Sequence, residues 1–165
     1  MSRDEPETVD AIDLPRYLGT WYEIARLPMR HEPEDYTDIT ATYSPRDDGK
    51  VRVENRALDG QGELQEASGE ATPVAGARNA KLEVSFLPQG LRWIPFTRGD
   101  YWILRIDPDY QTALVGSPDR KYLWLLARRP QLDDATRADF LATARSQGFQ
   151  LDDLIATPHT GRPTA

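Results

Sequence analysis

The sequence predicts an all-β domain, an eight-stranded antiparallel up-and-down β-barrel with one C-terminal α-helix packed outside strands six to eight. Between Gly19 and Arg129, apolar and polar residues alternate in short segments, the pattern of half-buried strands. Turn residues such as those of segment 44–49 (SPRDDG) separate the segments. After Pro130 the apolar spacing becomes that of a helix. Eight consecutive antiparallel strands keep two open edges unless the sheet closes, so we expect a barrel.

Each element follows from this pattern in order. A short 3₁₀ turn is expected over 14–18, beneath the barrel. The strands are expected at 20–29, 38–45, 50–58, 63–73, 80–87, 99–107, 111–117 and 121–129. Hairpin turns are predicted at 107–109 and 117–120. The helix should begin at an N-cap Asp133 or Asp134, end near Gln147 before Gly148, and precede a short strand over 154–157. One folded domain, 12–157, is expected between flexible ends at 1–11 and 158–165.

Composition excludes several function classes. The 165 residues carry a net charge of -7 with no Lys/Arg-rich run, which argues against nucleic acid as a partner. There is no cysteine, so disulfides, thiolate metal sites and a cysteine nucleophile are excluded. The two histidines are too few for a histidine metal site, and no metal or cofactor is expected.

The alternation also assigns faces to the strands. Charged residues of the third and fifth strands must face water, so the intervening residues face inward. Strands six to eight are apolar on both faces, and only the predicted helix is free to cover their outer side. Small inward residues on several strands favour a lumen with room for a ligand. The alternative is a barrel filled by its own aromatic side chains.

The predicted ligand-binding residues are those that the alternation places inside the barrel. They are Ala41, Tyr43, Val53, Asn55, Ala57, Gly69, Ala71, Leu82, Val84, Phe86, Tyr101, Ile103, Arg105, Ala113, Val115, Tyr122 and Trp124.

Three motifs resemble the signatures of the lipocalin family. Segment 19–26 (GTWYEIAR) resembles its G-x-W signature, segment 106–110 (IDPDY) the second signature, and segment 124–130 (WLLARRP) the third, centred on Arg128. The residues of these segments are most similar to those of the bacterial, apolipoprotein D-like lipocalins. The resemblance implies a barrel that binds a small hydrophobic ligand.

Strand parity brings these motifs to one end of the barrel. Strand one starts at the closed end, and the turn after strand six and the end of strand eight lie there too. We therefore expect Gly19, Trp21, Asp107, Tyr110 and Arg128 to be structural, with the Arg128 guanidinium stacked on the Trp21 indole and bonded to backbone carbonyls.

Two charged residues are expected inside the lumen. Glu23 and Arg105 both fall on inward positions of the lower half, where an unpaired charge is costly. Either they form a fixed ion pair, or Arg105 receives the carboxylate or phosphate head group of a lipid.

The mouth of the barrel carries the most apolar loop. Segment 87–96 contains Leu91, Trp93, Ile94 and Phe96, which would cover the mouth, touch a membrane peripherally, form a homodimer or pack on the barrel's own rim. His31, in the opposite loop, is expected to be solvated.

The leading interpretation is binding and transport of a fatty acid or lysophospholipid. The alternatives are an enzyme acting on a lipophilic substrate in the same cavity, for which no nucleophile and base can be named, and a filled barrel that self-associates through the Leu91–Phe96 loop. Without a signal segment or an acylated cysteine in the sequence, a cytoplasmic location is expected; a trimmed mature form would instead belong to the periplasm or outer membrane.

Overall fold

The fold is a closed antiparallel β-barrel, as the sequence predicts. A computed structural model describes residues 5–28, 35–86 and 98–161. The chain enters through a one-turn helix, α1 (Leu14–Tyr17), and leaves through a longer helix, α2 (Asp134–Ser146). The barrel strands are β1 (Gly19–Arg26), β2 (Thr37–Pro45), β3 (Val51–Leu58), β4 (Leu64–Pro73), β5 (Lys81–Phe86), β6 (Arg98–Ile106), β7 (Thr112–Gly116) and β8 (Leu123–Ala127). A two-residue strand, β9 (Ile155–Ala156), follows α2.

Strand β1 closes the barrel by pairing on both of its edges. Its first half pairs with β2, where Trp21 lies opposite Ala41, and its second half pairs with β8, where Arg26 lies opposite Trp124. All other barrel strands pair antiparallel with their neighbours in sequence. Closure removes the two exposed edges that an open sheet of this length would leave.

Three register shifts interrupt the pairing of the described strands. They lie in β1 between Glu23 and Ala25, in β2 between Thr37 and Thr40, and in β6 between Ile103 and Arg105. An extra residue on one strand of a pair moves every following side chain to the opposite face. The inward positions predicted beyond Glu23 and Ile103 therefore change.

Helix α2 packs on the outer face of β6 and β7, among the strands six to eight that the sequence predicts it to cover. The side chain of Asp133 accepts a hydrogen bond from the Thr136 N–H at 3.0 Å, and Gly148, with φ +92°, ends the helix. The buried helix residues are Phe140, Leu141 and Ala144. They join an outer apolar cluster that includes Ile24, Trp102, Leu104, Leu114, Leu123 and Leu125.

Both ends of the described chain are hydrogen-bonded to the barrel. The Val9 N–H donates to the Ile103 carbonyl at 3.0 Å, and the Asp38 N–H donates to the Pro158 carbonyl at 2.9 Å. We therefore propose that the ordered unit extends beyond the expected limits of 12 and 157. Helix α1 is a correction: Leu18 N–H donates to the Leu14 carbonyl, four residues back, so the turn is α-helical rather than 3₁₀.

Candidate functional site

Apolar side chains from every barrel strand line the inner surface. Of the predicted lining residues, an inner cluster contains Tyr43, Val53, Ala71, Leu82, Val84, Tyr101, Ile103, Ala113 and Val115, with Ala41, Phe86 and Trp124 packed against it. Ala57 lies in a second cluster towards the mouth. Asn55 and Gly69 lie opposite inward residues of neighbouring strands, and Tyr122 stacks on Trp124 with ring centroids 6.1 Å apart. One predicted lining residue, Arg105, is not brought to this surface.

Arg105 lies outside the barrel, which corrects the prediction. The register shift in β6 places it opposite Leu114, on the face covered by α2. Its guanidinium donates to the Asp139 carboxylate at 2.8 Å and lies 4.1 Å from the centroid of the Phe140 ring. Arg105 therefore joins the helix to the barrel, and a lipid head group in the lumen cannot reach it.

Glu23 does lie inside, but its partner is Arg26. Arg26 Nη1 donates to Glu23 Oε2 at 3.0 Å, and both residues are buried. The Thr157 hydroxyl donates to the same carboxylate oxygen at 2.5 Å and also accepts from Arg26 Nη1 at 3.2 Å. Burial raises the pKa of Glu23, while Arg26 and Thr157 act in the opposite direction. The charged residues of the inner wall thus hold each other in place beside the C-terminal strand.

The closed end is sealed by the signature residues. The Arg128 guanidinium carbon lies 3.8 Å from the centroid of the Trp21 ring. Its nitrogens donate to the carbonyls of Arg16, Tyr17, Thr20 and Tyr110, at 2.9 to 3.2 Å. A Cβ on Gly19, whose φ is +103°, would lie 3.3 Å from Arg128 Nη1.

The turn between β6 and β7 is fixed by Asp107. Its carboxylate accepts hydrogen bonds from the Gln111 N–H at 2.6 Å and the Thr112 N–H at 2.7 Å. Tyr110, with φ +57°, offers its carbonyl to Arg128 and its ring to Arg16, whose guanidinium lies 4.3 Å from the ring centroid. These contacts hold the barrel floor together on its outer side, so these residues do not face the lumen.

Three buried tyrosines lie on the inner side of the floor. The Tyr17 and Tyr101 hydroxyls are 2.5 Å apart, and the Tyr43 hydroxyl donates to that of Tyr101 at 2.9 Å. Burial raises the pKa of Tyr43 to about 12 and that of the other two well above the ordinary value of 10.0. All three are therefore neutral at physiological pH.

Several residues of the inner surface are only partly covered by their neighbours. Ala41, Asn55, Phe86, Tyr122 and Trp124 are half-buried, although they lie on the inner surface. Leu91, Trp93, Ile94 and Phe96 of the mouth loop, and His31 of the loop opposite, lie outside the described residues.

Alternation alone misses several inner residues. Arg26 is inward only because of the register shift in β1, and Thr157 only because β9 pairs with β1. Neither has a signal in a single sequence. Ala67, in contrast, is two residues before Gly69 and pairs with Asn55, so the same alternation would have found it.

Within the described parts of the chain, no group of three His, Asp or Glu residues is placed to hold a metal ion. No helix there is long and apolar enough to cross a membrane. The inner surface therefore offers an apolar wall, a buried Glu23–Arg26 pair and a floor of phenol hydroxyls.

Comparison with known proteins agrees with this architecture. A family profile described as "Lipocalin-like domain" matches residues 12–159. Temperature-induced lipocalin-1 of Arabidopsis thaliana is 39% identical over 164 residues, which cover 98% of this chain and 87% of the relative. Lobster apocrustacyanin A1 superposes with a TM-score of 0.68 at 14% identity, over 96% of this chain and 92% of that one, so it supports the fold alone.

A bacterial relative corrects the expected location. Outer membrane lipoprotein Blc of Citrobacter freundii is 40% identical over 154 residues, covering 93% of this chain and 82% of the relative. The expectation of a cytoplasmic protein is therefore wrong, because proteins this similar are named as outer membrane lipoproteins. The match over nearly the whole chain, together with the closed barrel and its floor, establishes that the chain belongs to the lipocalin family.

Proposed function

We propose that this lipocalin binds and carries a lipid, a fatty acid or a lysophospholipid, in the barrel lumen. Members of the family bind small hydrophobic ligands. The observation that carries the proposal is an apolar inner surface on which Ala41, Phe86 and Trp124 stay half-buried, whereas the tyrosines of the floor are buried.

The energetics allow useful affinity. Burying a methylene contributes about 0.8 kcal/mol, so a chain of about 16 carbons offers a gross ~12 kcal/mol. Lost translational freedom and ordering of the chain consume several kcal/mol of this. We expect dissociation constants between low micromolar and nanomolar. An apolar wall discriminates weakly between neighbouring chain lengths, so specificity for length should be loose.

Binding, rather than catalysis, is the function that the inner surface supports. Its charged residues, Glu23 and Arg26, bond to each other and to Thr157. The relatives named as outer membrane lipoproteins support a place for this lipocalin in the periplasm or at a membrane, which fractionation of its native cells would test.

The direct experiment is native mass spectrometry of the gently purified protein, followed by titration with a fluorescent fatty acid. A co-purified lipid would identify the ligand class. A clean ligand-free mass together with no saturable fatty-acid binding would overturn the proposal.

A matched pair of variants locates the ligand. Ala41→Trp fills the inner surface where Ala41 is half-buried, whereas Thr42→Trp adds the same side chain to the outer face of the same strand. We expect Ala41→Trp to weaken binding by at least about tenfold, since the added ring occupies the space of several methylenes. Thr42→Trp should bind as the wild type does. Equal affinities for both variants would place the ligand outside the lumen.

A further inference from the structure

The three tyrosines at the floor form a hydrogen-bonded chain with one proton to spare. Three hydroxyls carry three protons, and two hydrogen bonds join them. Tyr43 donates to Tyr101, so the Tyr43 proton is used. In the pair of Tyr17 and Tyr101 one hydroxyl donates and the other keeps its own proton. Within residues 5–28, 35–86 and 98–161, the hydroxyls of Tyr17 and Tyr101 have no hydrogen-bond acceptor outside this chain of three.

The exposed fractions of Tyr17 and Tyr101 favour one of them as the hydroxyl whose proton stays without an acceptor. Tyr17 is 1% exposed and is enclosed by Trp21 and Tyr43, whose ring centroids lie 5.0 and 5.8 Å from its own. Tyr101 is 9% exposed and lies on the inner wall beside Leu82 and Ile103. Since Tyr101 is the more exposed of the two residues, the favoured arrangement has Tyr17 and Tyr43 both donating to Tyr101, and the Tyr101 proton is then the one without an acceptor.

Two donors on one phenol oxygen strengthen that phenol as a donor in turn. Hydrogen bonds in a chain polarise each other, and the effect is larger where water is excluded. A buried donor with no acceptor destabilises its surroundings, so the Tyr101 hydroxyl favours any molecule that brings an oxygen to the floor.

We propose that the lumen floor is a binding site for a neutral oxygen of the ligand, a carbonyl, hydroxyl or ether group at the deep end of the chain, with Tyr101 as the donor. This inference rests on the proposed lipid-binding function and narrows its ligand class. A carboxylate fits less well, because a single uncharged donor cannot compensate for moving a full charge out of water. The preferred ligand is thus an oxygenated lipid that enters with its apolar chain and its distal oxygen leading.

The test compares hexadecanoic acid with a series of oxo-hexadecanoic acids that differ only in the position of the carbonyl. Affinities are measured by displacement of a fluorescent fatty acid from the full-length protein. We expect one carbonyl position, far from the carboxylate, to bind roughly tenfold more tightly than hexadecanoic acid, and the other positions to bind more weakly than it. A maximum of affinity at one carbonyl position would indicate a hydrogen-bond donor at a fixed distance from the mouth of the barrel.

The variant Tyr17→Phe/Tyr43→Phe/Tyr101→Phe removes the whole chain and leaves no hydroxyl without a partner, so folding should be preserved. It should lose the preferred carbonyl position: relative to its own affinity for hexadecanoic acid, its affinities for the oxo-hexadecanoic acids should show no maximum. Tyr22→Phe is the control: Tyr22 packs outside the barrel beside His159, and this variant should keep the preference.

The outcomes separate the two proposals. If hexadecanoic acid binds but no carbonyl position is preferred, or if the preference survives in the triple variant, the floor site is wrong while the lipid-binding function stands. If no chain binds to the wild type, both proposals are wrong. Should the triple variant fail to fold, the position series on the wild type decides alone.

Discussion

Arg128 combines a stacking contact and several hydrogen bonds at the barrel floor, as suits a guanidinium group. A guanidinium is planar, carries five N–H donors and stacks on an aromatic face. Here it stacks on Trp21 and donates to four carbonyls from three segments, α1, β1 and the turn before β7. One side chain therefore ties the entry of the chain to the end of β8.

Replacing Arg128 with alanine should destabilise the fold without abolishing it. The substitution removes a cation–π contact and four hydrogen bonds to backbone carbonyls, so we expect a loss of about 2–3 kcal/mol in the free energy of unfolding. Urea denaturation followed by tryptophan fluorescence measures it. Arg16→Ala is the control, because Arg16 also stacks on an aromatic ring at the floor but is exposed. It should cost under about 1 kcal/mol, and equal losses for the two variants would contradict the role given to Arg128.

At the scale of elements, the sequence predicted the strands and the helix well, because alternation, turn residues and caps are local signals. The closed end followed from strand parity, which needs only the order of the strands. The sequence could not predict the register shifts in β1 and β6. Segment 103–106 (ILRI) carries apolar residues on both faces, so no change in residue type marks an extra residue, and the face of Arg105 depends on its pairing with β7. For this reason the expected ion pair between Glu23 and Arg105 is wrong, and Glu23 pairs with Arg26.

Arg105→Ala tests the corrected position of this residue. Because Arg105 lies under α2, the variant should bind fatty acids as the wild type does, whereas a head-group site would lose affinity. The hydrogen bond from Arg105 holds the pKa of Asp139 below its usual range, so the substitution should raise that pKa towards its ordinary value. NMR titration of the aspartate carboxyls measures the change. Asp133, whose pKa is held low by the backbone N–H of Thr136, should titrate as before.

For the whole molecule, one sheet separates two apolar clusters. The inner cluster faces the lumen, and the outer cluster lies between the strands and α2. The apolar face of α2 and the outer face of strands β6 to β8 are therefore buried against each other. The C-terminal segment completes the wall: β9 pairs with β1, and Thr160 donates to the Asp38 carboxylate of β2 through its N–H and its hydroxyl, both at 2.8 Å. Within this segment, Thr157 bonds to Glu23 and Arg26 in the barrel interior.

The buried Glu23 carboxylate should make the free energy of unfolding depend on pH, and Glu23→Gln tests the direction of this dependence. Burial raises the pKa of Glu23 above its ordinary 4.5, so the folded protein binds the proton more tightly than the unfolded chain. The stability linked to this proton is fully present below the ordinary pKa and is lost as the pH rises through the raised value. Glu23→Gln has no such titration. The unfolding free energy of the wild type minus that of Glu23→Gln should therefore rise as the pH is lowered through the raised pKa towards the ordinary 4.5.

Urea denaturation across this pH range measures the difference, with Glu70→Gln as the control. Hydrogen bonds from Lys50 and Arg46 hold the pKa of Glu70 below its ordinary value, so its contribution is lost only at more acidic pH. The difference for Glu70→Gln should stay constant over the range in which that for Glu23→Gln changes. A constant difference for Glu23→Gln as well would mean that its carboxylate is ionised throughout, and that the ion pair with Arg26 outweighs the cost of burial.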